Sequence, residues 1–132
     1  MSSPSDEIWT RALEYDVPAT HAGDLAVRRV LTFHGVVEDS GLWSAVETHA
    51  ADEEFPLDEV ADGYRTLGLE ATAEAIDRAA AEYDQTAGVG DDEAWGEAEE
   101  RVNEDYRVLD EDITAAIERT LAQEPALFAP TD

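Results

Sequence analysis

Residues 91–112 read DDEAWGEAEERVNEDYRVLDED and set eleven carboxylates against two arginines in 22 residues. Beneath that charge runs a helical stripe, Trp95, Ala98, Val102, Tyr106 and Leu109, spaced by three or four. Those side chains share one side of a 3.6-residue helix and are expected inward, with Glu97, Glu99, Glu100, Glu104 and Asp105 left in water. The stretch predicts an amphipathic helix whose outer side is a sheet of negative charge.

The same periodicity recurs on both sides of it. Toward the C-terminus, Asp110 is expected to cap a last helix with Ile113, Ala116, Ile117 and Leu121 inward. Pro125 stops that helix, and Leu127 and Phe128 are expected to fold back onto the core. Toward the N-terminus, residues 85–90 carry two glycines and no stripe, the mark of a loop. Before them come Leu69, Thr72, Ala73, Ile76, Ala79, Ala80 and Tyr83, and, across a break at Gly68, Leu57, Val60, Ala61, Tyr64 and Leu67. Pro56 suits the first position of that earlier helix. Leu42, Trp43 and Val46 begin a short helix ending near Ala50, after a turn at Ser40-Gly41. Asp24 starts a longer one with Leu25, Val27, Val30, Leu31, His34 and Val37 inward. Ser5 is expected to cap a first helix that buries Ile8, Trp9, Ala12 and Leu13 and ends by Pro18. No strand-like alternation and no fixed-period repeat appears. The fold class expected is all-α, a compact bundle of six or seven helices forming one domain over 1–132.

Composition bounds what such a bundle does. The 132 residues hold 33 Asp+Glu against 8 Lys+Arg, a formal charge of −25, and every basic residue is arginine. Charge of that size repels nucleic acid and anionic lipid and favours basic partners. With 43% hydrophobic residues the chain should fold, burying roughly two-thirds of its unfolded surface. No cysteine is present, which excludes disulfides and thiolate metal sites and fits a cytoplasmic protein. No apolar run reaches the length of a membrane span, and the acidic start lacks the basic region of a secretion signal.

Catalytic signatures are missing: no phosphate-binding glycine loop, no HExxH and no Gly-x-Ser-x-Gly elbow. His34 with Glu38, and His49 with Glu53, stand one helical turn apart, but each pair is a two-ligand fragment where zinc takes three or four. No metal site and no cofactor is expected. Glu99 and Glu100 would serve acid–base catalysis only if buried, and their helix positions point outward. The aromatics Trp9, Trp43, Trp95, Tyr64, Tyr83 and Tyr106 occupy core-facing positions and read as packing rather than as a base-stacking platform.

The charge itself admits several readings. A total absence of lysine with excess acid is what salt-adapted proteins show, where screening relieves repulsion. A functional reading is mimicry, because carboxylates on successive helical turns lie roughly 5–6 Å apart, comparable to backbone phosphates. The candidate rows are Glu47, Asp52, Glu53, Glu54, Asp58, Glu59 and Asp62, and Asp91, Asp92, Glu93, Glu97, Glu99, Glu100, Glu104, Asp105, Asp110, Glu111 and Asp112. A basic groove meeting them would gain the counterion-release and steering terms it gains from DNA.

From about Leu31 to Phe128 the chain resembles the bacterial DNA-mimic protein domain family. Its Asn-Gly-Gly-Phe turn corresponds to Asp39-Ser40-Gly41-Leu42, of which Gly41 is kept. Its Ile-Gly-Ala break resembles Leu67-Gly68-Leu69. Its closing pattern resembles Tyr106 through Ile113 and then Pro125-Ala126-Leu127-Phe128. The resemblance implies a non-enzymatic protein that binds a transcription regulator in place of DNA, as a dimer in some members. The function expected is thus a DNA mimic facing a basic DNA-binding protein, with no direct nucleic-acid or membrane contact. The alternatives are an immunity or antitoxin-type inhibitor of a basic nuclease, a salt-adapted domain whose charge is solvation only, and a small hydrolase or metal protein.

Overall fold

The computed structural model describes residues 3–87 and 90–130. Among these residues seven α-helices follow one another: α1 (Pro4–Ala12), α2 (Ala22–Ser40), α3 (Leu42–His49), α4 (Leu57–Thr66), α5 (Glu70–Ala87), α6 (Asp92–Asn103) and α7 (Asp110–Gln123). A 3-10 turn at Pro125–Leu127 closes the chain, and no strand occurs among the described residues. The all-α bundle read from the stripes is the observed fold.

The stripe of α4 shows why. Val60, Ala61, Tyr64 and Leu67 recur at helical spacing and are all fully buried, so α4 wedges between α2 and α5. Its end is a glycine-dependent reversal. Gly68 has φ +77°, its N–H donates to Arg65 O at 2.9 Å, and Leu69 N–H donates to Tyr64 O at 2.8 Å. That six-to-one bond beside a five-to-two bond returns the last carbonyls of α4 to partners and turns the chain into α5. Burial of Phe33, Trp43, Tyr64, Ile76, Ile113 and Ile117 builds one continuous apolar cluster from α2, α3, α4, α5 and α7. Trp43, Tyr83 and Trp95 meet edge-on with centroids 5.1–5.7 Å apart and fasten α3, α5 and α6 together. Phe128 returns to the core as expected, 3% exposed.

The opening stretch is not one helix. α6 stops at Asn103, residues 104–109 are irregular, and α7 starts at Asp110. Tyr106 therefore lies off α6, and Leu109, expected inward, is 56% exposed. The break has two causes. Asn103 Oδ1 accepts the Trp43 N–H at 2.8 Å, filling a first-turn amide of α3 that Gly41 has no side chain to satisfy. Asp112 Oδ2 in turn accepts the Leu109 N–H at 2.9 Å, which sets the start of α7. Gly41 tolerates this arrangement because it has φ +91°, and a Cβ there would fall 2.8 Å from Asn103 Nδ2.

Other boundaries shift as well. Ser3, not Ser5, caps α1: its hydroxyl accepts the Asp6 N–H at 3.2 Å with Pro4 in the first turn, while Ser5 is buried and donates to Glu118 Oε1 at 3.1 Å. Leu13, expected inward, is 44% exposed. Pro56 precedes α4 rather than opening it. Residues Gln85, Thr86 and Ala87, expected in a loop, are the last residues of α5, and residues 88–89 of that loop lie outside the described residues. No helix among the described residues is long and apolar enough to cross a membrane.

Candidate functional site

The acids of α6 form a ridge. Glu93, Glu97, Glu100 and Glu104 are spaced by four, three and four, so they share one face of α6 and its cap, and all four are exposed. At 1.5 Å per residue the ridge is about 16 Å long. Asp92 is exposed beside it, whereas Glu99 is half-buried and only partly outward. Asp91 is exposed too, but its carboxylate caps α6, accepting the N–H groups of Glu93 at 3.0 Å and Ala94 at 3.3 Å. Beyond the ridge, Asp105, Asp110, Glu111 and Asp112 are exposed around the start of α7, where they also suit the positive end of the helix.

The other candidate row is more mixed. Glu47, Glu53, Glu54, Asp58 and Asp62 are exposed, and Asp52 and Glu59 are half-buried. Asp52 serves the chain itself. The Phe55 and Glu54 amides donate to it, holding its carboxyl below the usual range. Glu59 pairs with Arg29 at 3.5 Å and Asp62 with Arg65 at 3.3 Å. A further row lies outside the candidates read from the sequence: Glu70, Glu74, Asp77 and Asp84 share one exposed face of α5, which packs against both α4 and α6. Their spacing of four, three and seven is legible in the sequence, though masked there by the alanines around it.

The arginines explain why the outside stays negative. Buried Arg28 donates to the carbonyls of Ala12, Glu14 and Val17 at 2.7–3.0 Å. Arg11 binds Asp24 at 2.8 Å and the carbonyl of Ala129 at 2.8 Å. Arg119 donates to Leu67 O at 3.0 Å, Arg65 is held by Asp62 and Asp77, and Arg101 pairs with Glu82 across α5 and α6. Most arginines thus tie helices and loops together, and eight of them against 33 acids leave the carboxylate surface largely unneutralised.

A separate cluster lies where the end of α2 meets the start of α7. His34, 3% exposed, holds Nε2 2.8 Å from both Glu38 Oε1 and Asp110 Oδ1. Its Nδ1 lies 2.7 Å from Tyr106 OH, which is 2.6 Å from Tyr64 OH. Burial raises the phenols of Tyr64 and Tyr106 well above their ordinary value, and the hydrogen bond from His34 lowers the Asp110 carboxyl. The expected His34–Glu38 pair is thus real and gains a third member. The expected His49–Glu53 pair is replaced: His49 Nδ1 faces Phe55 O at 3.1 Å and Asp52 at 3.4 Å.

Fold and surface together define a class: an acidic helical bundle that displays carboxylates in large excess over its few arginines. The chain belongs to the DMP19-like protein family, whose profile matches residues 21–127. The match runs from the residue before α2 through the 3-10 turn, so the resemblance seen from Leu31 onward extends back to His21. Comparison with curated proteins and with solved structures gives no match.

Proposed function

We propose that this protein is a non-enzymatic DNA mimic of the cytoplasm that occupies the basic surface of a DNA-binding protein, most simply a transcription regulator. The observation that carries the reading is the display of charge: ridges of exposed carboxylate on α6 and α5, far outnumbering arginines that mostly bond within the chain. Membership of the DMP19-like family supports it. A cationic groove evolved for phosphates would meet similarly spaced anions on a stiff helical support, and its bound counterions would be released as on DNA. The docking acids are Glu47, Asp52, Glu53, Glu54, Asp58, Glu59 and Asp62 together with Asp91, Asp92, Glu93, Glu97, Glu99, Glu100, Glu104, Asp105, Asp110, Glu111 and Asp112.

The test is capture of DNA-binding proteins on the immobilised chain, followed by competition with duplex DNA and a salt titration of the captured pair. Binding should fall as salt rises, and duplex should displace the chain. Replacing Glu93, Glu97, Glu100 and Glu104 by Gln should weaken binding at low salt and flatten its fall with rising salt. Capture of a nuclease whose activity the chain blocks would favour the inhibitor reading instead. Stability that collapses at low salt, with no DNA-displaceable partner, would reduce the charge to salt adaptation.

A further inference from the structure

His34, Glu38 and Asp110 converge on one point from two helices. A neutral imidazole nitrogen carries at most one hydrogen, yet His34 Nε2 faces two carboxylate oxygens, each at 2.8 Å. The three candidate ligand atoms lie within 4.8 Å of one another. One ion can reach all of them with bonds of about 2.0–2.2 Å after small side-chain shifts. The far side of the ring is already arranged for this. Tyr106 OH, 2.7 Å from Nδ1 and backed by Tyr64 OH, fixes the ring orientation. With the proton on Nδ1 donated to Tyr106, the Nε2 lone pair points at the carboxylates, as in histidines oriented by an outer partner.

The geometry points to a divalent transition-metal site formed by His34 Nε2, Glu38 Oε1 and Asp110 Oδ1, with Zn2+ as its first candidate. An imidazole among the ligands disfavours Mg2+ and Ca2+, which take oxygen, and suits Zn2+, Ni2+ or Co2+. Three protein ligands leave a fourth position for water. The ion takes the place that an Nε2 hydrogen would fill between the two carboxylates, the ring then keeping its proton on Nδ1 toward Tyr106, and neutralises two like charges held side by side. It also clasps the last turn of α2 to the first turn of α7, so binding adds to folding stability. Sequence spacing offers two of these ligands one helical turn apart, and the fold brings the third from 76 residues away.

The full-length, metal-free chain is titrated with Zn2+ by calorimetry, in excess Mg2+ and high KCl so that diffuse carboxylate binding is suppressed. One Zn2+ per chain should bind, and the melting temperature should rise with it. Glu38→Gln and Asp110→Asn alter exposed side chains, and circular dichroism confirms that they fold. Each should weaken binding by more than tenfold and abolish the Zn2+-dependent rise in melting temperature. Tyr106→Phe should weaken binding by about tenfold, the outer-partner effect. Glu97→Gln, on the α6 ridge, should leave binding unchanged. The inference is overturned if no Zn2+ binds under these conditions, or if Glu38→Gln and Asp110→Asn bind as wild type does. Zn2+ binding needs no partner protein, so failure here is distinguishable from failure of the mimic reading.

Discussion

The α6 ridge and the His34 cluster hold the same functional group in opposite circumstances. On the ridge, Glu93, Glu97, Glu100 and Glu104 point into water with neighbours of like sign. At the cluster, Glu38 and Asp110 lean on a buried imidazole that is itself held by the half-buried Tyr106 phenol, backed by buried Tyr64. Ridge charges act at long range, are screened by salt and contribute nothing to holding the fold. Cluster charges act at contact distance and join helices far apart in sequence. Net charge alone therefore says little about what an individual carboxylate does.

The largest effect expected at the cluster is from Tyr106→Phe. It strips partners from both Tyr64 OH and His34 Nδ1 at the edge of the core, and urea unfolding should show a loss of about 3 kcal/mol. Tyr64→Phe, which leaves the Tyr106–His34 bond intact, should lose only about 1 kcal/mol. Equal losses would mean that the phenols do not act as a chain. Their raised ionisation has a sign. The unfolded chain's tyrosines titrate first, near 10, so stability holds below that pH and declines above it toward the folded values.

Other changes, all below the Tyr106 effect, separate the regions further. Asn103→Ala removes the acceptor for the Trp43 N–H and should cost about 1–2 kcal/mol in the same assay. Asp110→Asn should cost no more than about 1 kcal/mol at neutral pH, since its carboxylate is 64% exposed and well screened. Its folded value is lowered, so the contribution is present above the unfolded value near 3.8 and is lost as pH falls through the folded one. Wild type should therefore lose stability more steeply in acid than the variant. Least of all, Glu97→Gln or Glu100→Gln should move stability by under about 0.5 kcal/mol, upward at low salt and not at all at high salt. A destabilised ridge variant would show that those acids have partners and would erase the contrast.

How much of this was legible varies with the range of the cause. The stripe of α4 and the stop at Gly68 are local, and residue spacing suffices to place them. The first cap was misplaced at Ser5, although Pro4 in the first turn points back to Ser3. The end of α6 was not: nothing between Asn103 and Asp110 is a glycine or proline, and the helix yields to a bond with α3, 60 residues away. The ridge acids were legible because exposure follows from period alone. Half of the His34 cluster was legible as an i, i+4 pair, while Asp110 and Tyr106 arrive only through tertiary packing.

Asn103 stands at the foot of the ridge and grips the opening amide of another helix. Any macromolecule that pulls on α6 thus tugs the entrance of α3, and with it the indole pair Trp43 and Trp95. Docking on the ridge would be felt inside the molecule as a change in tryptophan emission, an optical handle built into the fold.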